Sequence, residues 1–170
     1  DGTNIDYPVL QGESNLSYIN TDVYGNFALA GSIFLDSRNS STFADVFSLL
    51  YGHHMENSQM FGDLDKYRSV DFLQQTNTGT LLVPGGRYAL RVFACIVVSA
   101  SDDLIYQPLQ WQADNVPAML DRLQADALCV DQAAMDDLRT AQNLKVLCMS
   151  TCSSDYTDAR TVVLAAMQLE

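Results

Sequence analysis

Positive charge is what this 170-residue chain lacks most: nine Lys and Arg stand against 21 Asp and Glu, a formal net charge of −12. So acidic a surface repels phosphate backbones and anionic lipid headgroups, which excludes nucleic-acid binding. Long hydrophobic runs are missing as well. No apolar stretch approaches the roughly 18 residues a membrane-spanning helix needs, and the first twenty residues lack the basic start and apolar stretch of a signal peptide. Histidine occurs only twice. The four cysteines, Cys95, Cys129, Cys148 and Cys152, form neither a dense disulfide framework nor a Cys-x-x-Cys metal pair. There is no internal repeat, low-complexity tract or Gly/Ser/Pro-rich linker.

What is present is the composition of a folded globule: 48% hydrophobic, 9% aromatic and only 18% charged, which excludes disorder. At this length a single hydrophobic core can form without staples, so one domain over residues 1–170 is expected. The chain opens at Asp1 without a Met and runs directly into Ile5-Asp6-Tyr7-Pro8-Val9-Leu10. That opening suggests a piece of a longer chain, with any anchor lying upstream.

β-branched and aliphatic runs bounded by turn residues predict strands near Ala28–Leu35, Val46–Gly52, Gly79–Val83, Tyr88–Ser99, Leu144–Ser150 and Arg160–Leu169. Pro84-Gly85-Gly86 should close the third and fourth as a hairpin, because Pro presets one turn dihedral and Gly accepts positive φ. Val116, Met119, Leu120, Leu123 and Ala127 recur at helical spacing after Asn115, a candidate N-cap, with Pro117 in the first turn. Asp131–Ala141 is a second helix candidate and Met60–Tyr67 a short third. The expected fold class is mainly β with helical insertions, not a repeating βαβ array.

Three local features could carry chemistry: Tyr51-Gly52-His53-His54-Met55, Ser150-Thr151-Cys152, and Arg160 eight residues after that cysteine. A free Cys at a strand end is commonly an inert small hydrophobe. Cys152, however, precedes the polar loop Ser153-Ser154-Asp155-Tyr156-Thr157-Asp158, where a thiol meets solvent and can act as a nucleophile. Cys148 lies deeper in the same strand and reads as core. Four residues of strand separate the two Cα atoms by about 13 Å, beyond the roughly 7 Å that a disulfide spans.

A thiol nucleophile needs a partner to take and return its proton, and only His53 and His54 are available. Adjacent residues on an extended segment face opposite ways, so one of the two reaches a given site; His53, straight after the apolar strand and Gly52, is the choice. Both could equally be surface or structural histidines. Neighbouring histidines cannot easily share one metal, and no other ligand stands at suitable spacing, so no metal is expected. Arg160 would lie across the hairpin from Cys152, where a permanently charged fork could hold a carbonyl or oxyanion; an ion pair with Asp155 or Asp158 is the plainer alternative. The paired acids Asp102-Asp103 and Asp136-Asp137 lack a ligand loop and read as solvated turns.

Taken together, these segments resemble class B sortases, the Gram-positive cysteine transpeptidases. Met149-Ser150-Thr151-Cys152, the loop after it, and Ala159-Arg160-Thr161-Val162-Val163 are similar to that family's Ser-Thr-Cys…Ala-Arg-x-Val-Val segment. Leu50-Tyr51-Gly52-His53 with Met60-Phe61-Gly62-Asp63-Leu64 resembles its Tyr-Gly-His…Met-Phe-x-x-Leu segment. Tyr7-Pro8-Val9-Leu10-Gln11-Gly12, Asn15-Leu16-Ser17-Tyr18-Ile19 and Ile33-Phe34-Leu35-Asp36-Ser37-Arg38-Asn39 match in type and order. The similarity covers nearly the whole chain.

The resemblance implies a sortase-like eight-stranded β-barrel, with Cys152 as nucleophile, His53 as proton donor and acceptor, and Arg160 holding the substrate and stabilising the oxyanion. It places Asn15, Ile19, Ser150 and Thr151 along the groove for a sorting motif. The implied reaction attacks the Thr carbonyl of a C-terminal Asn-Pro-x-Thr-type sorting signal on a surface protein, forms a thioester, and passes it to an amine of the peptidoglycan cross-bridge or a pilin lysine. No cofactor is implied, and the implied location is the outer face of a Gram-positive membrane, held by an N-terminal anchor upstream of Asp1. A hydrolytic cysteine peptidase, a non-catalytic cell-wall binding module and a disulfide-bonded secreted domain are the competing readings.

Overall fold

The computed structural model describes residues 1–152 and 155–170; Ser153 and Ser154, which open the predicted loop after Cys152, lie outside the described residues. In chain order the strands are β1 (Val9–Leu10), β2 (Ile33–Leu35), β3 (Phe47–Tyr51), β4 (His54–Met55), β5 (Gln59–Met60), β6 (Thr78–Val83), β7 (Gly86–Ser99), β8 (Ala127–Val130), β9 (Val146–Cys152) and β10 (Ala159–Leu169). The helices are α1 (Val70–Gln75), α2 (Asp103–Tyr106), α3 (Val116–Asp126) and α4 (Gln132–Thr140), with 3₁₀ turns at Gly62–Arg68 and Pro108–Gln110.

One eight-stranded sheet dominates, in the order β1-β2-β3-β9-β10-β7-β6, with β8 also pairing β7; β4 and β5 form a separate ribbon. β9 runs parallel to β3 and antiparallel to β10. Its first six residues, Val146 to Thr151, are all buried. The reason is alternation between two covered faces. Leu147 and Met149 enter one core with Ile33, Leu50, Val163 and Ala165, whereas Val146 and Cys148 enter a second core with Leu49, Val162, Leu164 and the helices. A sheet covered on both sides reads as continuous apolar sequence. The two ends of the ladder, β1 and β6, face each other across an apolar cavity of about 790 Å³.

β7 changes partners midway. It pairs β6 up to Arg91 and β8 from Ala94, and opposite β10 the register slips between Leu164, which faces Ala94, and Ala165, which faces Val92. Phe93 is the extra residue, fully buried, and its carbonyl accepts from Asp131 N at 2.8 Å. Such a bulge raises local twist, which turns the strand towards its new neighbour. The Pro84–Gly85 turn is as the sequence predicts: Val83 pairs Gly86, and Gly85 has φ +88°.

Helix α3 buries Val116, Leu120 and Leu123 against the second core, and α4 buries Ala134, Met135 and Leu138 there. Asp131 caps α4 by accepting from Ala134 N. Three expectations need correction. Asn115 does not cap α3: its side chain turns back, accepting from Gln112 N and donating to Gln110 O, and so closes the preceding turn. Residues Ala28–Gly31 are not strand, because Gly31 takes φ +58° and donates to Ala28 O in a turn, leaving only Ile33–Leu35 in the sheet. The short helix after the histidines is a 3₁₀ segment that begins at Gly62.

Candidate active site

Strand β9 emerges from the core at its last residue: Thr151 is buried and Cys152 exposed. Two pairings then decide what stands beside the thiol. Antiparallel β10 sets Arg160 directly opposite Cys152, as the hairpin argument requires. Parallel β3 sets Tyr51 beside Ser150, and Gly52 N donates to Ser150 O at 3.2 Å. The ladder ends there, and His53 follows Tyr51 by two residues as Cys152 follows Ser150. Side-chain phase agrees. Phe47 and Leu49, Val146 and Cys148, and Val162 and Leu164 all face the second core, so Cys152 and Arg160, still within their strands, continue that face past its apolar end.

Gly52 lets the two strands end this way. A Cβ there would sit 2.4 Å from Ile33 Cδ1 and 2.7 Å from Phe61 Cδ2. The histidines then diverge. The His53 ring places Nε2 2.8 Å from Ile19 O, whereas His54 Nε2 lies 2.8 Å from Asp65 Oδ2. Asp65 in turn accepts from Thr161 Oγ1 at 2.9 Å, on the opposite face of β10 from Arg160. Arg160 donates from Nη1 to Ala159 O at 2.9 Å. One acid proposed as its ion-pair partner, Asp155, is gripped by both Nη atoms of Arg68, at 2.9 and 2.6 Å.

The thiols are chemically distinct. All four cysteines are free, and Cys152 alone among them is exposed. Burial pushes the Cys148 thiol far up. Burial, with the neighbouring Cys129, pushes Cys95 up to about 12. Both are held as neutral thiols, whereas only thiolate is nucleophilic. Among the described residues no three His, Cys, Asp or Glu side chains gather to hold a metal.

The other predicted residues separate into two groups. Ser150 is 3% and Thr151 2% exposed, so neither side chain lines an open groove. Ser150 Oγ is covered by the Tyr106 hydroxyl at 2.8 Å, and Thr151 alternates to the face away from Cys152. Asn15 and Ile19 are half-buried, and Ile19 meets His53 through its main-chain carbonyl. Asn15 is fixed from both ends: Nδ2 donates to Asp36 Oδ2 at 2.9 Å, and Oδ1 accepts from Ser37 N at 2.7 Å.

Asp36 is the residue that sequence reasoning missed. Fully buried, it accepts from Asn15, from the Tyr51 hydroxyl at 2.9 Å, and from Arg38 through main-chain N, Nε and Nη2. Burial alone would raise its pKa, but the Arg38, Tyr51 and Asn15 hydrogen bonds outweigh that and hold the carboxyl below its usual range. Burial and the Asp36 charge push the Tyr51 phenol well up. Arg38 also donates to Tyr106 O at 2.9 Å and to Gln107 Oε1 at 3.0 Å, tying α2 to the site. Tyr106 stacks on Tyr51 with centroids 6.3 Å apart, and Tyr51 on Phe34 at 5.2 Å. The Asp36-Ser37-Arg38 spacing was the available signal, an acid and a base two residues apart beside an apolar strand.

A strand of a mainly β fold thus ends in an exposed cysteine with an arginine paired opposite it. The model of the sortase domain matches residues 1–168, and the chain belongs to the sortase family. Its relatives are of class B. It is 32% identical over 165 residues to sortase B of Listeria monocytogenes, a match covering 95% of this chain and 64% of that protein, so the chain spans under two thirds of that relative's length. Among solved structures it is similar to a Streptococcus pyogenes class B sortase involved in pilus biogenesis, with TM-score 0.85, 34% identity, and 99% of this chain and 88% of the other covered. It is also similar to the Staphylococcus aureus sortase B–substrate complex, with TM-score 0.84, 28% identity, and 99% and 76% covered.

Proposed function

We propose that this chain is the catalytic part of a class B sortase acting as a cysteine transpeptidase on the outer face of a Gram-positive membrane. The observation that carries the reading is the double register at the end of β9, with Arg160 opposite Cys152 and Tyr51 beside Ser150. Cys152 attacks the Thr carbonyl of an Asn-Pro-x-Thr-type sorting signal, His53 takes the thiol proton and returns one to the leaving amine, and Arg160 stabilises the oxyanion. An amine then takes the acyl group from sulfur and frees the thiol. Asn15, anchored by Asp36, supplies a fixed amide beside the groove. The acceptor is a peptidoglycan cross-bridge amine or a pilin lysine; the similarity to a class B sortase involved in pilus biogenesis supports keeping the lysine in view. Among the described residues no helix is long and apolar enough to cross a membrane, and the anchor belongs to the proposal alone.

Mass spectrometry tests this directly. The protein and its Cys152→Ala variant are mixed with sorting-motif peptides and an added amine. The expected result is a thioester adduct and an amine-capped product, both lost in the variant. Hydrolysis without capping would favour a peptidase, and a folded protein whose reactive thiol gives no adduct with any peptide would sink the catalytic reading.

A further inference from the structure

The residues around Ile19 suggest a role for main chain that no side-chain motif encodes. The segment from Ser14 to Ser32 folds back on itself, and its carbonyls are engaged one after another. Tyr18 O accepts from Ser32 N at 3.0 Å, Asn20 O from Ala28 N at 3.1 Å, and Thr21 O from Ser32 Oγ at 2.8 Å. Ile19 O, in the middle of that row, meets His53 Nε2 at 2.8 Å. A carbonyl oxygen carries no proton, so this contact is a hydrogen bond only when Nε2 is the protonated nitrogen.

Space for that carbonyl is made by Gly31. With φ +58°, its missing Cβ would stand 2.2 Å from Ile19 O, 2.6 Å from Tyr18 O and 2.8 Å from Ile19 C. No side chain fits there unless the Ile19 peptide moves. Gly31 and the Ile19 peptide therefore form one unit, and the His53 ring rests against it.

We infer that the Ile19 carbonyl, held in place by Gly31, is the orienting acceptor for His53, fixing the neutral ring as the Nε2–H tautomer and leaving Nδ1 to exchange the proton with Cys152. This inference rests on the transpeptidase reading for what the ring does, but the bond itself does not. In a catalytic constellation the base needs a third group to aim it, and here a backbone oxygen fills the place that a carboxylate takes elsewhere. The bond becomes charge-assisted when the ring is protonated, so it also steadies the imidazolium that accompanies a thiolate. Ile19 and Gly31 are positioning residues, with no contact to the reacting atoms required of them.

The test begins with the ring. In protein carrying ¹⁵N-labelled histidine, with His54→Gln to assign the two rings, long-range ¹H–¹⁵N correlation at about pH 8.5, where an ordinary imidazole is neutral, should give a pyrrole-type Nε2 and a pyridine-type Nδ1 for His53. A protonated Nδ1, or an even mixture of tautomers, overturns the inference. Gly31→Ala should then lower kcat for peptide transfer by about tenfold to a hundredfold, because the His53 ring is displaced with the Ile19 peptide. The tautomer signature should be lost in the same variant. If Gly31→Ala does not fold, an ester in place of the Ile19–Asn20 amide adds no atoms at Gly31 and weakens the carbonyl as an acceptor. It should move kcat and tautomer in the same direction by a smaller factor. Unchanged kcat and an intact Nε2–H in either variant overturn the inference. A wild-type protein with the Nε2–H signature that transfers no peptide upholds the His53–Ile19 bond and refutes the transpeptidase reading, so the two failures are distinguishable.

Discussion

Replacing Asp36 by Asn removes one negative charge from a carboxylate with no solvent exposure and little else. The carboxylate accepts five hydrogen bonds: three from Arg38, one from Tyr51 and one from Asn15. Three of these, from Arg38 Nη2, Tyr51 and Asn15, fall on Oδ2, so an amide NH2 there would oppose three donors. Hydrogen bonds to a charged group contribute about 1.5–3 kcal/mol each, but they are not additive when they share an acceptor. The Arg38 side chain is 39% exposed, so water can rehydrate it, and the loss stays below that of a sealed ion pair. About 3 kcal/mol is expected at pH 7, or roughly 6–12 °C in Tm at this chain length.

The same variant carries a pH signature. Because Asp36 titrates below its unfolded value, its contribution is complete above about pH 4–5 and is lost as pH falls through the folded value. The stability gap between wild type and Asp36→Asn should therefore narrow in acid. Urea unfolding at pH 7 and at several lower values reads both effects. A gap under about 0.5 kcal/mol at pH 7, or one that stays constant into acid, would refute the assignment of Asp36 as the charged centre of this network.

Thiol counting with a chromogenic disulfide should find one fast-reacting thiol in the native protein and four after unfolding, with none fast in Cys152→Ala. Fast reaction of a second thiol at pH 8 would contradict the burial that holds Cys95 and Cys148 neutral. Tyr106→Phe leaves Ser150 Oγ buried without its partner, and should cost about 1–3 kcal/mol in equilibrium unfolding. Adding Ser150→Ala should recover part of that loss, since two apolar groups then meet; a double variant weaker than the sum of the single ones would count against the hydroxyl pair.

The central strands, the Pro84–Gly85 hairpin and helices α3 and α4 could be read from the residues because each rests on local periodicity or turn chemistry. Short elements escaped. β1, β8 and α1 have two, four and six residues, too few to establish a period against their neighbours. The segment from Ser99 to Trp111 also resisted reading, because what fixes it is distant: Arg38 on Tyr106 O, Tyr106 on Ser150, and Trp111 stacked 4.5 Å from Phe47. The net charge of −12 has no residue-level explanation in the structure.

By itself the sequence determined the components: a strand that ends in a cysteine, a hairpin that brings Arg160 across from it, and a histidine waiting at the end of another apolar run. Hairpin partners are near in sequence, and their register follows from the turn. Only the tertiary structure decided that β3 lies parallel to β9, since parallel pairing joins segments nearly a hundred residues apart and no local signal sets its register. The same holds for the burial of Ser150 and Thr151, for Asp36 behind Asn15, and for the Ile19 carbonyl against His53. A backbone oxygen has no letter in the sequence; where it points is fixed by the fold, and here by the absence of a side chain at Gly31.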